Sequence, residues 1–229
     1  VDCIKINKLD ILNSPLLLYR IITILIFIKE KGIMERKNDL TYKITLTAMF
    51  AALSYVSFTY LKIPIPTLSG DMTALHIGNA FCVLAALVLG GVYGGVAGSL
   101  GMTIADLMDP VYITSAPKTF ILKFCIGLIA GLVAHKIAHI NEHTERSYIF
   151  KWTLIASVAS LGFNVIMDPI FGYLYKTYIL GVPADAAKIM ATWAAGATTV
   201  NAVAGTALVV AVYAALRPVL GRMNLTKIS

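Results

Sequence analysis

Apolar positions along the chain gather into six blocks of helical length, parted by short breaks rich in charge, glycine or proline. The blocks predict helices over about 41–60, 74–89, 92–108, 118–138, 153–173 and 189–216. The densest part is 75–136, where three apolar runs follow one another with almost no room between them. Each approaches the roughly 20 residues a membrane-spanning helix needs. Glycines at 90, 94 and 98, at 91 and 95, and at 127 and 131 recur every four residues. That spacing puts them on one helix face, where small residues let backbones approach closely in lipid. Ala48 and Ala52 give the first helix a similar face, suited to a partner helix, although alanine is also simply common in helices.

The breaks predict loops. Residues 61–73 contain Pro64, Pro66 and Gly70, and 109–117 and 176–188 form two more loops on the same side. The most polar linker, HINEHTERSYIFKW, follows the fourth helix. His135, His139 and His143 would align as metal ligands only if that helix continued; the simpler reading is a polar, cationic helix C-terminus. Near the N-terminus, 11–28 is apolar but interrupted by Asn13, Pro15 and Arg20, so it makes a poor span. Lys5 and Lys8 precede it as in a signal peptide, yet no small-residue cleavage site follows. The expected organisation is an N-terminal segment over 1–40, with Met34 as the true start, a six-helix membrane domain over 41–216, and a cytoplasmic tail over 217–229.

Composition moves the reading firmly toward a membrane. Hydrophobic residues make up 58% and charged residues 14%, against about 25% charged in a typical soluble domain. Mean hydropathy is +0.79. The net charge of +7 does not point to nucleic acid, because the basic residues flank apolar runs and form no stripe. Cys3, Cys82 and Cys125 are scattered, with no CxxC, and read as small apolar side chains. Arg36, Lys37, Lys43, Lys136, Arg146, Lys151, Arg217, Arg222 and Lys227 fall on one side. Lys62, Lys118, Lys123, Lys176 and Lys188 fall on the other. The positive-inside rule then places both ends in the cytoplasm. The expected fold is an all-α integral membrane protein with six transmembrane helices, N-in and C-in, and an outward-facing ligand pocket.

Under that topology the intramembrane polar groups converge on the outer side, and nothing comparable continues to the inner face. A self-contained transporter would carry a polar path or inverted repeats across the whole membrane. The convergence reads as a capture site, with a stand-alone secondary transporter of a small polar solute as the alternative. Lys123 is the leading candidate, a cation for a phosphate, carbonyl or ring acceptor; otherwise it snorkels to the interface. Asp106 would accept hydrogen bonds from the ligand, or pair with Lys118, or cap a loop. Asn164 and Asn201 offer donors and acceptors to a heteroaromatic edge, or act as glue between helices. Asp168 is similar, with pairing to a lysine as its other reading. Trp193 and Tyr112 would stack on a flat ring or anchor at the interface, and His76 and Asn79 sit at the mouth of the second helix. HExxH, GxSxG and GxxxxGK[ST] are all absent, so neither a zincin, a hydrolase elbow nor an ATPase is read here.

TLTAMFAAL, GGVYGGVAGSLGMTIADL and APKTFILKFCIGLIAGLVA resemble the substrate-binding S components of energy-coupling factor (ECF) vitamin importers, in the riboflavin-type or hydroxymethylpyrimidine-type branch. The resemblance covers about 42–216. It implies a non-enzymatic, multi-pass protein of the prokaryotic plasma membrane that binds a scarce vitamin from outside. It implies as partners an ECF transmembrane coupling subunit and two ABC ATPases, which use the ATP, with no cofactor in this chain. Ala48 and Ala52 would meet the coupling subunit, the first loop would act as a lid, and the S component would topple to carry its pocket inward. The N-terminal Met-His arrangement of cobalt- and nickel-type relatives is absent, which argues against a metal substrate. The ligand is expected to be riboflavin or a smaller ring, hydroxymethylpyrimidine- or pyridoxine-like, with a slight lean to the smaller.

Overall fold

A computed structural model describes residues 39–66 and 72–222. The expectations for residues 1–33, for Gly70 and for the tail beyond 222, Lys227 included, lie outside the described residues. The unit Lys43–Ser229 holds the helical bundle from the second turn of its first helix onward.

Among the described residues six long helices follow in order: α1 (Asp39–Tyr60), α2 (Gly78–Leu89), α3 (Gly91–Met108), α4 (Ala116–Gly131), α5 (Arg146–Leu174) and α6 (Ala184–Arg222). Wider π turns extend α4 over Leu132–Ile137 and α5 over Tyr175–Ile179. Among the described residues three helical runs are long and apolar enough to cross a membrane: Ile113–Ile137, Arg146–Ile179 and Ala184–Gly221. By contrast α2, with 12 residues, is about 18 Å long at 1.5 Å per residue, short of a hydrocarbon core of roughly 30 Å. Every residue of α2 is buried, so it forms the centre of the bundle rather than a wall.

The expected loop over 61–73 is in part a β-hairpin. Strands β1 (Ile63–Pro66) and β2 (Met72–Leu75) pair antiparallel, with Ile63 opposite Leu75 and Pro66 opposite Met72. Proline lacks a donor and usually ends a strand, which is why the segment reads as a loop. Here Pro64 and Pro66 alternate, so they share one side of the strand, where a missing N–H costs the ladder nothing. The hairpin also takes the residues from which a helix was expected to start at 74. The loop expected over 176–188 shrinks to about four residues, because the π turn continues α5 and alanine-rich 184–188 opens α6. Likewise α5 begins at Arg146 rather than 153, since its polar first turns are helical without being apolar.

The glycine faces seal the first half of the bundle. Gly95 meets Gly127, and Gly91 meets Gly131, so closely that a Cβ on either α4 residue would overlap α3 backbone. Gly94 lies against Ala86 and Gly98 against Cys82, which closes α3 onto α2. The turn between those two helices is Gly90 alone, at φ +91°, a conformation that favours glycine. The three-histidine alignment does not form: the helix ends after Ile137, and His139 takes a positive φ of 45°. His135 instead lies 2.9 Å from the Ala86 carbonyl through Nε2, with Asn141 at its Nδ1.

Candidate functional site

Where the hairpin, the C-terminal end of α3 and the facing ends of α4, α5 and α6 meet, they enclose a cavity of about 110 Å³. Eight of the nine residues singled out from the sequence line it: His76, Asn79, Asp106, Tyr112, Lys123, Asn164, Asp168 and Asn201. Asn79 comes from α2, Asp106 from the last turn of α3, and Lys123 from the second turn of α4. Asn164 and Asp168 are one turn apart on α5, and Asn201 faces them from α6.

Lys123 is 7% exposed, so it does not snorkel to the interface. Its Nζ donates to Asn164 Oδ1 at 3.4 Å, a long bond that leaves two further N–H donors. Lys118 pairs with Asp168 at 2.9 Å, and Thr198 donates to the other carboxylate oxygen at 3.1 Å. Asp168 therefore follows its lysine-pairing reading, and Asp106 does not pair with Lys118. Asp106 is 1% exposed, and its Oδ1 has no hydrogen-bond partner. Asn79 Oδ1 and the Tyr112 hydroxyl are likewise buried and unpartnered. Leaving such a group unsatisfied costs about 1–3 kcal/mol. Three such groups belong to residues lining one cavity, where two oxygens could accept and a hydroxyl could donate or accept.

Asn201 acts as a clasp. It accepts from the His76 backbone N–H at 2.9 Å and donates to the Ala74 carbonyl at 3.0 Å, fixing the end of β2 to α6. His76 accepts from the Gly78 N–H through Nδ1 at 3.2 Å, and its ring meets Phe58 edge-on at 4.6 Å. Burial, followed by the nearby Lys123 charge, pushes the His76 pKa down to about 3, so the ring is neutral. At the rim Lys62 pairs with Asp109 at 2.5 Å and lies over the Tyr112 ring at 4.4 Å. That hydrogen bond holds the Asp109 carboxyl below its ordinary range, and burial raises the Tyr112 phenol. The rim pair ties the base of the hairpin to the turn after α3.

Trp193 does not line the cavity and is 40% exposed. Met190, Ala194, Thr198 and Asn201 form the lining face of α6, and Trp193 is rotated about 100° from its neighbour Ala194. The aromatic wall comes instead from Phe58 and Tyr112, whose rings stand 6.3 Å apart. Phe58, Met72, Thr73, Ser115, Thr119, Lys176, Met190, Ala194 and Thr198 line the cavity without having been singled out. Of these only Thr198 carried a usable signal, three residues before Asn201 on the same helix face. Ala48 and Ala52 lie far from this chemistry in role, exposed along α1 beside Ile44 and Val56.

The model of the family described as "ECF-type riboflavin transporter, S component" matches residues 38–218. No curated protein and no solved structure matches the chain. The family is one of transporter subunits rather than enzymes, in keeping with a polar cavity set in an apolar helical bundle. With most of its length covered, this chain belongs to the ECF-type riboflavin transporter S component family.

Proposed function

We propose that this chain is the vitamin-capturing subunit of an ECF-type importer, its six helices embedded in a prokaryotic plasma membrane with the short α2 enclosed among the others, and both ends cytoplasmic. The observation that carries the reading is the set of unpartnered buried atoms, Asp106 Oδ1, Asn79 Oδ1 and the Tyr112 hydroxyl, on residues that line one cavity with Lys123. A nitrogen heterocycle would donate N–H or O–H groups to Asp106 and Asn79 and accept from Lys123, with Phe58 and Tyr112 as its aromatic neighbours. The hairpin would cover it, latched by Asn201. Uptake would be driven by partner ATPases through a coupling subunit docked on the exposed Ala48 and Ala52 face.

Two ligand classes fit that description. The family name favours riboflavin. Cavity size favours a single ring of the hydroxymethylpyrimidine or pyridoxine kind, since 110 Å³ is well below the roughly 300–1,000 Å³ of pockets for drug-sized ligands. On geometry the single ring is the better reading. The test is to denature detergent-purified protein and identify the released small molecules by mass spectrometry. One equivalent of a one-ring vitamin or precursor is expected. Riboflavin would keep the capture role and overturn the size argument. Protein that releases nothing, and gains no thermal stability from a panel of B vitamins, would overturn the capture role itself.

A further inference from the structure

A second pair of clefts lies between α5 and α6, toward the ends of those helices remote from the cavity. The first, about 670 Å³, is lined almost wholly by apolar side chains, among them Leu154, Val158, Gly162 and Val203. It runs into a second of about 750 Å³, and Phe150, Val210 and Ala214 line both. The second is polar at its far end, where Arg146, Ser147, His143 and Arg217 stand, and no Asp or Glu is among its lining residues.

The chemistry is layered along the helices. Arg146 and Arg217 come first, and among the described residues neither has a carboxylate partner. The Arg217 guanidinium donates to Asn141 Oδ1 and to the carbonyls of Ile140 and His143, all neutral, so its charge stands uncompensated. About 10 Å further along α5 is Thr153, 2% exposed, lining the same cleft, with a hydroxyl that has no hydrogen-bond partner. Helical threonines often donate back to a carbonyl one turn earlier, as Thr47 and Thr192 do here; Thr153, like Thr59 and Thr103, keeps its hydroxyl unpaired. Beyond Thr153 the lining turns apolar as far as Gly162.

We propose that this continuous cleft holds one anionic glycerophospholipid. Its phosphate sits at Arg146 and Arg217 beside the open first turn of α5, an ester oxygen accepts from Thr153, and an acyl chain lies along Leu154, Val158 and Gly162. Basic pockets between membrane helices recognise anionic headgroups in this way, and the chain fills surface that α5 and α6 leave open. The site is independent of the vitamin cavity.

Native mass spectrometry of delipidated full-length protein tests it, with dioleoyl phosphatidylglycerol or dioleoyl phosphatidylcholine added. A 1:1 phosphatidylglycerol adduct is expected at about fivefold or more the level of the phosphatidylcholine adduct. Arg146→Gln should remove that preference. Gly162→Leu, where a Cβ meets nothing within 4 Å, should plug the apolar cleft and lower the adduct without unfolding the protein. Excess inorganic phosphate should not displace the lipid. Equal adducts from both lipids, or a preference that survives Arg146→Gln, would mean ordinary boundary lipid and overturn the proposal. An adduct unchanged in Gly162→Leu would remove the acyl-chain site. Wild-type protein that takes no lipid, its cleft filled by the chain's own ends or a partner helix, would also overturn it.

Discussion

The two halves of the bundle are packed by different means. In α2, α3 and α4 glycines meet glycine, alanine or cysteine at backbone distance, and all twelve residues of α2 are buried. In α5 only eight of 29 residues are buried, and Gly162 has nothing within 4 Å of where a Cβ would stand. The first half is held by backbone contact, which has two settings, seated or broken; the second is held by side chains and has room beside it. The cavity lies on the seam. Asn79, Asp106 and Lys123 come from the sealed half, and Asn164, Asp168 and Asn201 from the open one. Lys123 and Asp106 are thus mounted on the side packed by backbone contact, and the Asp168 carboxylate on the other. The hairpin latch, Asn201, belongs to the side packed by side chains.

The largest expected effect breaks this contrast directly. Gly127→Leu would drive a side chain into the backbone of Gly94 and Gly95. Overpacking a core costs about 1–3 kcal/mol where side chains can yield, and more where they cannot; here the obstacle is main chain. The variant should lose its monodisperse peak in detergent size-exclusion chromatography, whereas Gly162→Leu should elute and melt like the parent. Equal behaviour of the two glycine variants would show that the halves do not differ in packing.

Next in size is the effect of Lys123→Ala on binding. Hydrogen bonds to charged groups contribute about 1.5–3 kcal/mol, which is roughly ten- to a hundredfold in affinity. The same change removes a buried cation that donates to an amide oxygen at a long 3.4 Å, so the ligand-free protein should melt no lower than the parent. Calorimetric titration with the released vitamin, beside thermal unfolding without it, separates the two. A fall in stability matching the fall in affinity would make Lys123 a structural residue.

Much of the seam was legible before any coordinates. A lysine, two aspartates and two asparagines inside apolar runs are costly enough in a membrane to stand out singly, and the spacing of Asn164 and Asp168 already puts them on one face. The four-residue glycine spacing likewise gave the contact faces of α3 and α4. Four things were hidden. The hairpin was masked by Pro64 and Pro66, whose compatibility with a strand depends on which side the partner lies. Trp193 carried the right chemistry at the wrong azimuth, one residue from the lining Ala194. Phe58 and Met72 looked like any apolar residue, because only tertiary structure distinguishes a cavity wall from a core. Partner choice was hidden too: Lys118 lies nearer in sequence to Asp106 and Asp109 than to Asp168, yet it bonds Asp168 across helices.

The smallest expected effect concerns His76, which touches both halves through Phe58 on α1 and Asn201 on α6. Its folded pKa is lowered to about 3, first by burial and then by Lys123, while an unfolded histidine titrates near ~6.5. Between those values the unfolded chain carries a proton that the folded chain does not, so stability rises with pH and falls on acidification. The slope contributed by one such group is at most about 1.4 kcal/mol per pH unit, and it vanishes above the unfolded pKa. Thermal unfolding of the ligand-free protein from pH 7.5 to 5 should therefore be flat at first and then decline. His76→Gln, which keeps an acceptor near the Gly78 N–H without a titrating ring, should decline less steeply over the lower part of that range. Parallel curves for the two proteins would mean that His76 takes up a proton in the folded state. The ring would then be reached by water, and the seam between the halves would be open at the hairpin rather than latched by Asn201.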